Sequence, residues 1–172
     1  LLAMGEMSPP QWAGLKFFNV YGPNEYHKAG QRSVAAQVYE RIAAGESARL
    51  FKSHRPDYKD GGQVRDFIWV GDCVDIVLWL LDTPSVSGLF NCGTGQARSF
   101  ADLAAAVFAA LGKKPKIDYA PMPESLREKY QYFTQARMER LRAAGYGKPP
   151  MSLEDGIGSY VRDYLAVADP HR

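Results

Sequence analysis

The chain has 172 residues, enough for one domain with a sizeable core or a large part of a longer protein. Its 46% hydrophobic and 23% charged residues are the balance of a soluble globular protein. A formal net charge of +2 is too small to argue for nucleic acid, and no apolar run of about 18 residues exists to cross a membrane.

Leu1 to Glu6 has neither the basic leader nor the apolar core of a signal peptide, and position 1 is not Met. The expectation is therefore an incomplete or processed chain. Residues 1 to 7 read as the tail of a helix stopped at Pro9-Pro10. Leu15 to Val20 reads as a buried strand that ends in a polar Asn19 and a Tyr21-Gly22-Pro23 turn, with His27-Lys28 in the following loop. In open α/β sheets ligands bind where strands end in loops, so a site is expected here.

Val34, Val38 and Ile42 fall at helical spacing, and Gly45 stops that helix. Ala48 to Phe51 is a short strand, and Lys52 to Gly62 is a long polar loop of the kind that is often functional. Arg65 to Val70 is a strand, after which Asp72 is expected to cap a buried apolar helix, Val74 to Leu81. Leu89 to Asn91 is a strand leading into Gly93-Thr94-Gly95. Ser99 with Asp102 resembles a capping box for a helix from Phe100 to Leu111. Ile117 to Ala120 is a strand, Thr134 is expected to cap a helix over 135–144, and Ser152 with Asp155 opens the last helix. This alternation argues α/β. Cys73 and Cys92, the only cysteines, lack CxxC spacing, so packed thiols are expected rather than a disulfide scaffold or a zinc site. No metal site is expected.

Three segments together resemble the C-terminal half of the extended short-chain dehydrogenase/reductase family. They are Phe17-Phe18-Asn19-Val20-Tyr21-Gly22-Pro23, Arg65-Asp66-Phe67-Ile68-Trp69-Val70-Gly71-Asp72 and Phe90-Asn91-Cys92-Gly93-Thr94-Gly95. Asn24-Glu25-Tyr26-His27-Lys28, the stretch Ala44 to Ser53, Tyr130 to Thr134 and Leu141 to Tyr146 make it most similar to the branch acting on ADP-linked heptose. No GxGxxG and no Tyr-x-x-x-Lys occurs in the chain. The expectation is thus the C-terminal part of a Rossmann-like fold with a small α/β substrate-binding lobe and the N-terminal dinucleotide-binding half missing. Residues 1–30 would end the Rossmann part and carry the active-site loop, and 31–172 would be mostly substrate lobe, with some elements returning to the Rossmann sheet.

The resemblance implies a NADP-dependent, two-base epimerase, inactive in this chain alone, that oxidises a heptose carbinol transiently and returns the hydride to its other face. It gives Lys28 as one base, beside a nicotinamide that also meets the Val20 backbone. A lysine serves as a base near neutrality only where burial or nearby positive charge depresses its pKa, and the competing reading is a solvated loop lysine. Substrate contacts are implied at Asn19, Gly30, Gln37, Phe51, Lys52, Ser53, His54, Arg65 and Tyr130. Gly30 and Gln37 stand where a serine and a histidine are usual, and the loop from His54 to Val64 is longer than in some relatives. Arg65 suits a phosphate, or pairs with Asp66; Asn19 contacts a sugar or holds its own turn. Phe51 stacks on adenine or is plain core, and Tyr130 meets substrate or packs on the surface. The resemblance further implies one NADP per subunit, a homo-oligomer, a cytoplasmic location and a role in lipopolysaccharide core assembly. Two alternatives stand beside it: another nucleotide-sugar epimerase or dehydratase, and a non-catalytic nucleotide-sugar binding lobe.

Overall fold

Strands and helices alternate along residues 9–168, the part that the computed structural model describes. The expected helix tail over residues 1–7 lies outside the described residues. In chain order come β1 (Ala13–Phe17), β2 (Asn19–Tyr21), α1 (Val34–Ala43), β3 (Ala48–Phe51), β4 (Val64–Trp69) and α2 (Val70–Asp82). Then follow β5 (Gly88–Cys92), β6 (Ala97–Ser99), α3 (Phe100–Ala110), β7 (Ile117–Ala120), α4 (Glu124–Arg127), α5 (Glu139–Ala143) and α6 (Leu153–Tyr160).

Three strand pairs are parallel: β1 with β5, β2 with β4 and β3 with β7, with Leu15 opposite Phe90, Val20 opposite Ile68 and Leu50 opposite Tyr119. Helices carry the chain between parallel partners, as such pairs require. The short β6 joins β4 antiparallel, Arg98 opposite Arg65. Alternation along β4 divides the interior. Phe67 faces a core built with Val38, Ile42, Leu103, Val107 and Ile157, and its neighbour Ile68 faces a second core with Cys73, Ile76, Leu80, Phe90 and Leu141.

Local chemistry sets the helix ends. The Ser33 hydroxyl accepts from Ala36 N–H to open α1. At its end Gly45 takes φ +83°, with Gly45 N–H on the Ile42 carbonyl and Glu46 N–H on the Arg41 carbonyl, a Schellman closure. Ser99 and Asp102 form the expected capping box of α3, and Ser152 caps α6 through Asp155 N–H. Cys73 and Cys92 are free, buried thiols, and their mutual hydrogen bond together with burial pushes Cys73 up.

Several expectations are corrected. The helix after β4 begins at Val70 with Trp69 as its cap; Asp72 sits in the first turn and accepts from Met151 N–H at 3.0 Å instead of capping. Nor is α2 buried all round. Its face with Cys73, Ile76 and Leu80 is covered, while Val74, Leu78 and Leu81 are 50%, 51% and 66% exposed. The first strand is split at Phe18 into β1 and β2, the β1 edge away from β5 has no partner among the described residues, and Phe17 is 54% exposed, its side chain left uncovered by the described residues. Thr134 caps no helix. Residues 131–134 run alongside β4, with Val64 N–H on the Tyr132 carbonyl and Thr134 N–H on the Val64 carbonyl, so helix is confined to α5. The short elements β6 and α4 lack a periodic signal long enough to read from sequence.

Candidate functional site

A cleft of about 470 Å³ opens between the N-terminal half of α1, the ends of β3 and β7, and Tyr130. Its walls are mostly apolar, with Val34, Leu50, Phe51, Pro121 and Pro123 among them. Phe51 and Tyr130 meet edge to face, centroids 6.2 Å apart at 89°. The Arg65 guanidinium lies 5.1 Å from the Tyr130 ring centroid and 5.5 Å from that of Phe100, and both rings line the cleft.

Two arginines line the cleft, Arg41, which pairs with Glu46, and the exposed Arg49, and a third, Arg65, is the half-buried cation beside it. The Arg65 Nη1 donates to the Val64 carbonyl at 2.8 Å, and no carboxylate among the described residues pairs with it. Burial holds its pKa below the usual arginine range. The alternative Arg65–Asp66 pair is not formed, because Asp66 points the other way. Asp66 is 0% exposed and accepts from Thr94 N–H and hydroxyl at 2.7 Å, and from Gly95 and Ala136 N–H at 2.9 Å. A half-buried guanidinium without a counter-ion is a ready partner for an anion, above all for a bidentate one.

The expected site residues fall into three groups. Gln37, Phe51 and Tyr130 line the cleft and Arg65 stacks against it. Ser53 is occupied within its own loop, and His54 is occupied by Tyr132 on a distant segment. The Ser53 hydroxyl donates to the Arg55 carbonyl at 2.8 Å, His54 N–H donates to the Tyr132 hydroxyl at 3.0 Å, and His54 Nδ1 lies 2.8 Å from that hydroxyl. Lys52 is exposed, with its N–H on the Ala120 carbonyl at the mouth of the cleft.

The third group lies along β2 and the turn after it, and Asn19 opens β2 instead of ending a strand. Asn19, Lys28 and Gly30 are exposed, the Val20 backbone pairs with β4, and a Cβ on Gly30 would meet nothing within 4 Å. Lys28 sits on a 3-10 turn, Tyr26–Gln31, and its side chain makes no hydrogen bond or ion pair among the described residues. That turn is held from beneath. Glu25 is 4% exposed and accepts from Ser33 N–H at 2.6 Å, from the Ser33 hydroxyl and from the Tyr160 hydroxyl at 2.8 Å. Asn24 precedes the turn at φ +64°, which asparagine tolerates, and Ala29 kinks it from within at φ +47°, a value alanine adopts only under constraint from its surroundings.

Sequence reasoning missed Glu25, Gln63, Asp66 and Tyr132 as site-forming residues. A signal existed for two of them. In Gly62-Gln63-Val64-Arg65-Asp66, strand alternation puts Gln63 with Arg65 and sets Asp66 apart. Glu25 and Tyr132 carry none, since their partners are 8 and 135 residues away for Glu25 and 78 for Tyr132. Among the described residues no group of three His, Cys, Asp or Glu side chains is placed to hold a metal, and no helix is long and apolar enough to cross a membrane.

Parallel strand pairs with helical crossovers, and a cleft where β3 and β7 end, define the class: a Rossmann-like α/β enzyme fold of the extended short-chain dehydrogenase/reductase type. The chain belongs to the NAD dependent epimerase/dehydratase family, whose model matches residues 3–93. It is 57% identical over 159 residues to an ADP-L-glycero-D-manno-heptose-6-epimerase of Nitratidesulfovibrio vulgaris, covering 92% of this chain and 49% of that protein. Among solved structures it is similar to the Helicobacter pylori ADP-L-glycero-D-manno-heptose-6-epimerase, with TM-score 0.74 and 28% identity over 91% of this chain and 45% of that one. It is also similar to the Thermus thermophilus UDP-glucose 4-epimerase in complex with NAD, with TM-score 0.71 and 31% identity over 92% and 47%. The chain spans about half the length of the curated relatives it matches.

Proposed function

We propose that this chain is the substrate-binding portion of an epimerase acting at C6 of the heptose in ADP-D-glycero-D-manno-heptose, giving the L-glycero epimer. The observation that carries the reading is Arg65: a half-buried, unpaired guanidinium braced on Tyr130 and Phe100 beside an apolar cleft. A nucleoside diphosphate needs that combination, fixed positive charge for the diphosphate and a flat apolar slot for the base. The heptose-epimerase relatives at 46–57% identity favour ADP-heptose over the UDP-sugars of the more distant neighbours.

In this reading Arg65 grips the diphosphate, Phe51 and Tyr130 wall the base and ribose, and Gln37, Lys52 and Gly30 border the sugar's path. Ser53 and His54 act through the loop they rigidify. Asn19 offers both a donor and an acceptor to a sugar hydroxyl or ketone. Lys28 holds or delivers the proton on one face of the inverted carbon; buried Glu25 keeps its turn in place, and the nearby positive charge that a lysine base requires would come from an oxidised nicotinamide ring.

The residues present fit the reacting end of a nicotinamide cofactor and not its phosphate cradle. Among the described residues the side chains of Asn19 and Lys28 are exposed and unengaged, whereas no GxGxxG run occurs in the sequence. A nicotinamide, taken here as NADP, one per subunit, supplies the hydride exchange when bound. The rest of its site would come from a portion such as the longer relatives carry. The exposed Phe17, Leu78 and Leu81, with a groove of about 260 Å³ lined by Trp12, Leu15, Val77 and Leu80, support docking of such a portion on β1 and α2. Residues 1–30 then end the dinucleotide-binding part, to which α2 and β5 also return, and most of 31–172 forms the substrate lobe. A cytoplasmic homo-oligomer serving lipopolysaccharide core assembly completes the proposal.

The test is turnover. The chain, combined with the cofactor-binding portion that such relatives carry and with NADP, is expected to convert ADP-D-glycero-D-manno-heptose to its C6 epimer, followed by proton NMR. Turnover of a UDP-sugar in its place would sink the heptose assignment. Tight ADP-heptose binding with no turnover would leave a non-catalytic binding lobe.

A further inference from the structure

We infer that Gln63 reads the nucleobase in the cleft. The inference rests on the reading of that cleft as the nucleotide site, and it assigns a specificity residue within it. Gln63 is 1% exposed yet lines the cleft. Its amide nitrogen makes a single long contact, 3.5 Å to the Lys52 carbonyl, and its amide oxygen accepts no hydrogen bond among the described residues. Buried primary amides normally pair both halves, so an amide left nearly unpaired at the wall of a cleft is set for a ligand that brings a donor and an acceptor together.

Position supports the assignment. Phe100 N–H donates to the Gln63 carbonyl at 3.1 Å, which continues the antiparallel pairing of β4 with β6 one step beyond Val64. Gln63 and Arg65, two residues apart on this extended segment, therefore project to the same side. One backbone run thus offers an amide and a guanidinium to one ligand, the first for a base edge and the second for a phosphate. Leu50, Phe51, Ala120, Pro121 and Pro123 give the cleft flat apolar surfaces that suit a planar ring, and of its polar lining, Gln37, Arg41, Arg49, Tyr130 and Gln63, Gln63 is the buried amide. For adenine, the Gln63 oxygen accepts from the exocyclic 6-amino group and the Gln63 nitrogen donates to the adjacent ring nitrogen, the bidentate pairing that glutamine makes with this base.

The experiment is calorimetric titration of the 172-residue chain with ADP, with purine riboside 5′-diphosphate, which lacks only the 6-amino group, and with pyrophosphate. The wild-type chain is expected to bind ADP roughly tenfold more tightly than the purine riboside compound. Gln63→Leu is expected to erase that preference while binding pyrophosphate as before, with circular dichroism melts confirming that it is folded. Gln63→Glu keeps an acceptor and loses the donor, and is expected to weaken ADP as well. Survival of the ADP preference in Gln63→Leu would overturn the inference, because the base would then be read elsewhere. If the variants fail to fold, the wild-type comparison decides by itself: equal affinity for the two diphosphates overturns the inference. Pyrophosphate binding without any gain from the base would overturn it and leave the anion site standing. Failure to bind any of the three would remove the nucleotide reading of the cleft together with it.

Discussion

The Tyr160 hydroxyl donates to Glu25 Oε1 at 2.8 Å, joining the end of α6 to the turn that carries Lys28 across 135 residues of sequence. The same carboxylate takes Ser33 N–H and the Ser33 hydroxyl, so one buried charge holds the turn, the start of α1 and α6 together. Burial and the Glu25 carboxylate push the Tyr160 phenol far above its ordinary pKa, so it remains a donor at any working pH. Tyr160→Phe is expected to cost about 1.5–3 kcal/mol, the usual value for a hydrogen bond to a charged group. Glu25→Ala, which strands three donors, is expected to cost more. Urea unfolding checks both, and equal midpoints for wild type and Tyr160→Phe would show that the link carries no stability.

Lys28→Ala should behave in the opposite way. The side chain is exposed and engages nothing among the described residues, so unfolding midpoints should be unchanged. Epimerase rate in the complemented enzyme should fall by at least about 10²-fold, the scale of lost general acid–base catalysis. Affinity for ADP should stay within a factor of two or so. A rate indistinguishable from wild type would remove Lys28 from the proton-transfer step.

How much of this was legible in sequence follows from how local each signal is. The strands Ala48–Phe51 and Ile117–Ala120 and the capping box at Ser99 and Asp102 depend on neighbours in the chain, and they stand where the pattern puts them. Thr134 failed as a cap because Tyr132 and Thr134 find backbone partners on Val64, a pairing invisible in the local sequence. The helix of Val74 to Leu81 reads as buried since it is apolar on most faces, but composition does not say what covers each of them. In the site, Arg65 was recognisable by its motif. Its freedom from Asp66 was not, because that depends on Thr94, Gly95 and Ala136 converging on the carboxylate.

Arg65→Leu separates binding from stability. Removing a half-buried cation that lacks a counter-ion relieves desolvation, so the variant should be no less stable than wild type despite losing its stacking on Tyr130 and Phe100. Its affinity for ADP should drop by roughly tenfold or more, since charge-assisted bonds to phosphate are the strong ones. Arg65→Lys should recover only part, because an ammonium lacks the planar fork and stacks poorly. A destabilised Arg65→Leu with unaltered ADP binding would recast Arg65 as a packing residue.

Acid should unfasten α6 from α3 through Arg98. This guanidinium pairs with Glu154 at 2.6 Å and lies 3.3 Å from Asp102 at the start of α3. The Arg98 hydrogen bond holds the Glu154 carboxyl below its ordinary range. For Asp102 burial pushes upward, but hydrogen bonds from Ser99 and the Arg98 charge outweigh it and leave the carboxyl low as well. A carboxyl depressed in the folded state contributes stability that is complete above its unfolded value, near 3.9 for Asp and 4.3 for Glu, and that is lost as pH falls through the lower folded value. Asp72 acts in the reverse sense, since burial raises its carboxyl and protonation on the way down to about pH 4 relieves that cost. The melting temperature is therefore expected to hold or rise slightly as pH approaches 4, and to fall below it. Arg98→Leu should flatten the acid limb by no more than about 1 kcal/mol, because these pairs are largely solvent-screened. An acid limb as steep in Arg98→Leu as in wild type would place the acid sensitivity elsewhere.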